Sequence, residues 1–175
     1  MTKEEVLVID DEEVMRDVLG RVLGQAGYVV SFAETGPEGL ELARRGSYAA
    51  AIVDVMLPEM GGLEVLEELK KQDPEMVVLM ITAFASMEMA IDAIKKGAFY
   101  FVPKPFDNQQ LVHIVENGLT KRRLEDENRQ LRTALRDPAQ FASARALVEQ
   151  LTRAHTEPTP VVALRSTPTA ALYPL

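Results

Sequence analysis

Asp10 and Asp11 stand side by side directly after the apolar run "EVLVI", with Glu12 and Glu13 behind them. Asp54 closes a second apolar run, "AAAIV", Thr82 closes "MVVLMI", and Lys104 follows "FYFVP". Carboxylates gathered at one place repel one another unless they are protonated or bridged by a cation. Hard divalent cations take oxygen ligands, and Mg²⁺ characteristically uses one or two carboxylates, waters and a phosphate. A lysine and a hydroxyl on the far side of such a site would hold the remaining phosphoryl oxygens. The chemistry these residues suit is therefore metal-assisted handling of a phosphoryl group in an acidic pocket.

Each residue also has an ordinary reading. Asp10 and Asp11 suit a helix N-cap and its first turn, where acids are favoured. Thr82 alone is a strand-end hydroxyl and Lys104 alone a surface lysine. Asp54 resists this treatment, because burying an unpaired acid costs several kcal/mol. What favours a site is the joint placement at successive strand ends.

The elements that must position these residues are legible in the alternation of patterns. Short apolar runs recur through residues 5–102: "EVLVI", "YVVSFA", "AAAIVDV", "MVVLMITA" and "FYFV". Three of them are nearly continuously apolar, as parallel strands covered on both faces are. Helical spacing lies between them, in Val14, Val18, Val22 and Leu23, in Leu40, Leu42 and Ala43, in Leu63, Leu66 and Leu69, and in Met87, Ala90, Ile91 and Ile94. A further helix is expected from near Asp107. Gly27, Gly46, Asp73-Pro74 and Gly97 punctuate the turns. Strand–helix alternation predicts an α/β fold, a flavodoxin-like five-stranded parallel sheet of order 2-1-3-4-5 with helices on both faces, followed by an extended helix. In such sheets ligands sit beyond the carboxyl ends of the strands. The first and third strands would be neighbours, which brings Asp10, Asp11 and Asp54 together.

Composition narrows the function. The net charge is -8 and there is no cysteine, so thiolate chemistry and a disulfide scaffold are excluded. Residues 1–117 hold 10 Lys/Arg and 21 Asp/Glu, a balance of -11. An acidic domain of this kind argues against direct nucleic-acid binding and suits a cation or a basic partner. The start lacks the apolar core of a signal peptide, and no apolar run is long enough to span a membrane, so a cytoplasmic location and no membrane association are expected. A dinucleotide site wants G-x-G-x-x-G after the first strand, where this chain has D-D-E-E, and no G-x-x-x-x-G-K-[ST] loop occurs.

The residues "VLVIDDEEVMRDVL", "AAIVDVMLPEMGGLEVL", "VVLMITAFAS" and "GAFYFVPKPF", in that order and at that spacing, resemble the receiver domain of bacterial two-component response regulators. The resemblance covers about residues 3–120. It implies a phospho-accepting signalling domain, not an enzyme in its own right, that takes a phosphoryl group from a histidine kinase or phosphotransfer protein. Asp54 then resembles the phospho-acceptor. Asp11 and Asp54 resemble carboxylate ligands of Mg²⁺, with the Met56 backbone carbonyl a third ligand and Asp10 acting through water. Lys104 resembles the lysine that pairs with phosphoryl oxygens, Thr82 the switch hydroxyl and Phe101 the aromatic switch. Lys104-Pro105 is a cis-peptide candidate in this family. Met56 and Phe84 occupy positions that in the family influence water's access to the acyl phosphate. Haloacid-dehalogenase-type phosphatases also use an aspartate nucleophile, but theirs ends the first strand in D-x-D, whereas here the apparent nucleophile ends the third.

Beyond residue 117 the character changes. Residues 118–137, with 6 Lys/Arg and 4 Asp/Glu, read as a helical coiled-coil linker and resemble the segment that follows the receiver in NtrC-like regulators. Lys121, Leu124, Asn128, Leu131 and Leu135 alternate three and four apart, a narrow seam for a homodimer, in which Asn128 would fix a parallel register and Glu127 would reach Arg132 of the partner helix. A solvated single helix is the alternative. Residues 138–155 suggest a short helix and 156–175, with their prolines, a disordered tail. No P-loop follows, so the sequence suggests a truncated or output-less regulator.

Overall fold

The computed structural model describes residues 3–136 and Glu149. Strands and helices alternate as β1 (Glu5–Ile9), α1 (Glu13–Gln25), β2 (Val29–Ala33), α2 (Gly36–Arg45), β3 (Ala50–Asp54), α3 (Gly62–Gln72), β4 (Val77–Thr82), α4 (Met87–Lys95), β5 (Tyr100–Pro103) and α5 (Asn108–Arg136). The sheet is parallel throughout with order β2-β1-β3-β4-β5, as the alternation predicts. Successive strand residues face opposite ways, so the sheet feeds two cores. Leu7, Ile9, Val53 and Met80 pack with Val65, Leu66 and Leu69 of α3. Val6, Val8, Ile52, Leu79 and Ile81 pack with Leu19 and Leu23 of α1 and with Leu111, Val115 and Leu119 of α5.

Local chemistry sets the helix ends. The Thr35 hydroxyl accepts from the Glu38 N–H and the Glu38 carboxylate accepts from the Glu34 N–H, closing the start of α2. The Ser86 hydroxyl caps α4 by accepting from the Met89 N–H, and the Asp107 carboxylate caps α5 by accepting from the Gln110 N–H. Gly27 and Gly97 take φ of 98° and 101°, a region only glycine enters at no steric cost.

In two of the expected helices the apolar spacing does not coincide with the buried side. In α1 Leu23 is fully buried as is Leu19, and the partly buried Met15 packs on the same core, while Val14 beside it is 74% exposed. On α4, Met87, Ile91 and Ile94 are 77%, 47% and 50% exposed, and the only buried residue is Ala93. The apolar spacing there marks an outward face, because α4 reaches the core through Ala93 and the partly buried Met89.

The chain divides into two compact units, Met1–Arg129 and Gln130–Leu175. α5 runs unbroken through residue 117, so the first part of the segment expected as a linker, 118–129, belongs with the sheet. Leu119 is 1% exposed in the core. A Cβ at Gly118 would lie 2.5 Å from Val77 Cγ1 and 3.1 Å from the Phe99 ring, so glycine is what lets α5 lie this close to the strands. Of the second unit, the described residues are the last turns of α5 and Glu149, which is helical. The expected short helix over 138–155, Glu149 apart, and the expected disordered tail over 156–175 lie outside the described residues.

Candidate functional site

The strand register brings the chemistry to one edge of the sheet. Ile9 of β1 lies opposite Val53 of β3, so Asp10 and Asp54 come next on neighbouring strands. Asp54 lies opposite Ile81, and Thr82 opposite Pro103, one residue before Lys104. The Lys104 N–H donates to the Thr82 carbonyl at 2.8 Å, which fixes where the lysine leaves the backbone. The Lys104–Pro105 bond is cis.

Asp10 is 0% and Asp54 5% exposed, and Asp11 is exposed. One carboxylate oxygen from each of these three residues lies within 4.8 Å of the others. Lys104 Nζ donates to Asp54 Oδ2 at 2.6 Å and to Asp10 Oδ2 at 3.0 Å. The second oxygens are occupied too: Asp54 Oδ1 accepts from the Met56 N–H at 2.8 Å and Asp10 Oδ1 from the Glu12 N–H at 2.9 Å. Both acids are thereby held in one orientation. The Thr82 hydroxyl, fully buried, accepts from the Phe84 N–H at 3.2 Å.

The electrostatics are unbalanced. Three carboxylates face one ammonium. Burial pushes the Asp10 carboxyl above its ordinary range and the nearby Asp54 charge adds to this, while the Glu12 N–H and Lys104 oppose it without cancelling it. Burial acts to lower Lys104, but its hydrogen bonds to Asp54 and Asp10 outweigh that and hold its pKa above the usual lysine value. Lys104 is therefore a firm cation, and the pocket still carries more negative than positive charge. A donor set made only of hard oxygens, with uncompensated charge beside a buried acid, fits a divalent cation such as Mg²⁺.

The remaining expected residues lie as follows. The Met56 and Phe84 side chains are 55% and 71% exposed and apolar. Phe101 is half-buried, pairs in register with Met80 and packs against the core of which Met80 is part. Leu124 and Leu131 are each 60% exposed and Asn128 is exposed, while the Leu135 side chain lies outside the described residues. The cap reading of Asp10 and Asp11 is not what is found: α1 has Glu12 at its N-cap position and begins at Glu13, and Asp10 turns inward.

Two contributors, Arg16 and Glu59, escaped sequence reasoning. Arg16 Nη1 donates to the Asp10 carbonyl at 2.7 Å while Nη2 pairs with Glu34 at 2.7 Å, tying α1 to the loop after β2. Its only sequence signal is a lone basic residue shortly after four acids. Glu59, with φ of 66°, makes a left-handed turn in the loop beyond Asp54. Gly62 lets the backbone pass close to Asp54. Its N–H donates to the Val55 carbonyl at 2.9 Å, and a Cβ there would overlap the Asp54 carbonyl oxygen.

Comparison with known proteins gives a family and solved relatives of the same fold. The family described as response regulator receiver domain matches residues 6–116. A response regulator described as NtrX-like from Rickettsia bellii is 32% identical over 143 residues, covering 81% of this chain and 30% of the relative. The chain thus spans under a third of the length of that relative. Among solved structures, NtrX from Brucella abortus in complex with ADP superposes with a TM-score of 0.72 at 32% identity, covering 78% of this chain and 30% of that one. The beryllofluoride-activated NtrC4 receiver domain dimer gives a TM-score of 0.65 at 30% identity, covering 67% of this chain and 98% of that one. Among the described residues no helix is long and apolar enough to cross a membrane.

Proposed function

This chain belongs to the response regulator receiver family, whose general function is signalling by phosphorylation of an aspartate, and from that premise we propose that Asp54 is the phospho-acceptor. The observation that carries the reading is the Asp54 carboxylate itself, buried, with Lys104 at 2.6 Å on one oxygen and the Met56 N–H at 2.8 Å on the other. A phosphodonor, a phosphohistidine of a kinase or phosphotransfer protein, presents its phosphorus to Asp54. An Asp54 oxygen forms the new P–O bond as the P–N bond breaks, and the imidazole leaves and takes up a proton. Lys104 stays protonated and pairs with the phosphoryl oxygens, and Thr82 supplies a hydroxyl from the neighbouring strand end. Asp11 and Asp54, with the Met56 carbonyl and with Asp10 through water, would hold Mg²⁺, which when bound supplies the charge neutralisation an anionic donor requires. Treatment with a small phosphodonor, followed by intact mass, tests the assignment.

Thr82 and Phe101 are the proposed switch pair. Phosphorylation would draw the Thr82 hydroxyl from the Phe84 N–H toward the new oxygens, and Phe101 would repack on β5 behind it. The reading carries a cytoplasmic location with it, where a kinase can reach the site.

Met56 and Phe84 bear on how long the phosphoryl group persists. Neither side chain has a polar atom to orient an attacking water, so the phosphorylated chain loses its phosphate slowly. Replacing both with polar residues, Met56→Asn and Phe84→Glu, speeds the loss about tenfold, a modest share of what general-base assistance can supply. Decay of the labelled protein checks this, and an unchanged rate places control of water elsewhere.

Self-association is proposed through Leu124, Asn128, Leu131 and Leu135 of α5. Leu124 and Leu131 are exposed, and a receiver similar to this chain is described as a dimer. An exposed helix of so few heptads gains its stability from a partner. Leu124→Asp with Leu131→Asp sets charges into the seam and turns a dimer into a monomer. Light scattering reads the result, and a variant that stays dimeric excludes the seam.

A further inference from the structure

The helix that carries the seam is fastened to the body of the domain by its opposite side. Arg122 donates from Nη1 to the Ala49 carbonyl at 2.9 Å and from Nη2 to Asp73 Oδ2 at 3.0 Å. About two turns further along, Arg129 pairs with Glu75 Oε1 at 2.9 Å. Asp73 is itself held, because its other oxygen accepts from the Glu75 N–H at 2.9 Å. A guanidinium that spans a carbonyl on one side and a carboxylate on the other is a two-point attachment, and a planar fork of donors allows little rotation about it. All of these contacts lie at the end of the sheet away from Asp54.

The attachment matters because of what lies on the other face. At about 100° per residue, Leu124 lies roughly 200° around the helix from Arg122, and Asn128 and Leu131 fall close to Leu124. Gly118, Leu119, Arg122 and Arg129 share one face, and Leu124, Asn128 and Leu131 share the other. We infer that Arg122 is a clamp that holds α5 beyond Leu119 against the domain and so keeps the Leu124–Leu131 seam outward, toward a second copy of this chain. The occupant is argued from self-complementarity. Spacing of four and three suits an identical helix, Asn128 pairs best with its own copy, and Glu127 and Arg132 are placed to exchange ion pairs between copies. The last step rests on the dimer reading above; the clamp rests on the Arg122 contacts alone.

The experiment separates the two. In the full chain carrying Leu124→Asp and Leu131→Asp, hydrogen exchange of amides 119–129 reports the clamp without self-association. Adding Arg122→Ala accelerates that exchange about tenfold, the change expected on losing a charge-assisted hydrogen bond. Asp73→Asn, which keeps the acceptor for the Glu75 N–H, produces the same direction of change and covers the case in which Arg122→Ala folds poorly. In the chain with its seam intact, Arg122→Ala weakens dimerisation about tenfold by sedimentation, because a helix loosened beyond Leu119 holds the seam in place for only part of the time. Exchange that stays unchanged in both variants overturns the clamp, whatever the dimer does. Faster exchange with dimerisation at full strength overturns the presentation of the seam. A parent chain that is monomeric overturns the dimer reading and the outward-seam step together, and the exchange result then stands or falls on the clamp alone.

Discussion

Mg²⁺ added to the metal-free chain raises its melting temperature, and Asp11→Ala removes most of that response. The expectation follows from the charge left over at the sheet edge. Asp10, Asp11 and Asp54 present carboxylate oxygens within 4.8 Å of one another, and Lys104 answers for one of them. A cation that binds the native arrangement and not the unfolded chain stabilises by mass action, by about 2.7 kcal/mol at one hundred times its dissociation constant. For a domain of this size that is a shift of several degrees, on the order of 2–4 °C per kcal/mol. Asp11 is the informative position to remove. It is exposed and joins no hydrogen bond that holds the fold, so its loss alters stability little, within about 0.5 kcal/mol for an ordinary surface site. Asp10, by contrast, is buried and already pushed toward its neutral form by that burial. Because the ligands must be deprotonated, the response shrinks on acidification. Thermal melts over a Mg²⁺ titration of both proteins check this, and equal shifts in the two would contradict it.

The sheet and its edge were legible because their signals are strong and local. β1, β3 and β4 are buried on both faces and read as unbroken apolar runs, and their ends, Asp10, Asp54 and Thr82, are polar residues that no packing requirement explains. Parallel order then brings those ends together. The helix faces were less legible. The spacing of Met87, Ile91 and Ile94 is that of a core-facing helix, yet these residues look outward, since periodicity gives the existence of an apolar stripe and not its direction. The same limit applied to Val14, which is exposed beside the partly buried Met15. The boundary expected at residue 117 is one of composition, and α5 runs across it. A change in composition marks where the chain becomes more charged, but Arg122 and Arg129 use their charge to grip Asp73 and Glu75, so charge there signals attachment to the domain and not departure from it. Glu59 could not be anticipated, because a non-glycine residue with positive φ leaves no mark in composition when glycines stand beside it.

Asp54→Asn abolishes phosphoryl uptake. Asparagine keeps the volume of Asp54, its acceptor oxygen for the Met56 N–H and its place at the end of β3, while it removes the anionic oxygen that must form the bond to phosphorus. With that oxygen on the Met56 N–H, the amide nitrogen faces Lys104 and the Lys104 hydrogen bond is lost, while Lys104 keeps its bond to Asp10. The fold is therefore preserved while the chemistry is lost, and the carboxylate buried between Lys104 and the Met56 N–H is tested alone. No neighbour substitutes for it. Asp10 is turned inward with both oxygens engaged, by Lys104 and by the Glu12 N–H, and Asp11 is exposed and takes no hydrogen bond from Lys104. The most direct measurement is the intact mass of wild-type and Asp54→Asn chains after incubation with Mg²⁺ and acetyl phosphate, followed by mild base, which cleaves an acyl phosphate and spares a phosphoester. The wild-type chain gains one phosphoryl group and loses it in base, and the variant gains none; labelling of the variant to the same extent, or a label on the wild type that survives base, would contradict the assignment of Asp54.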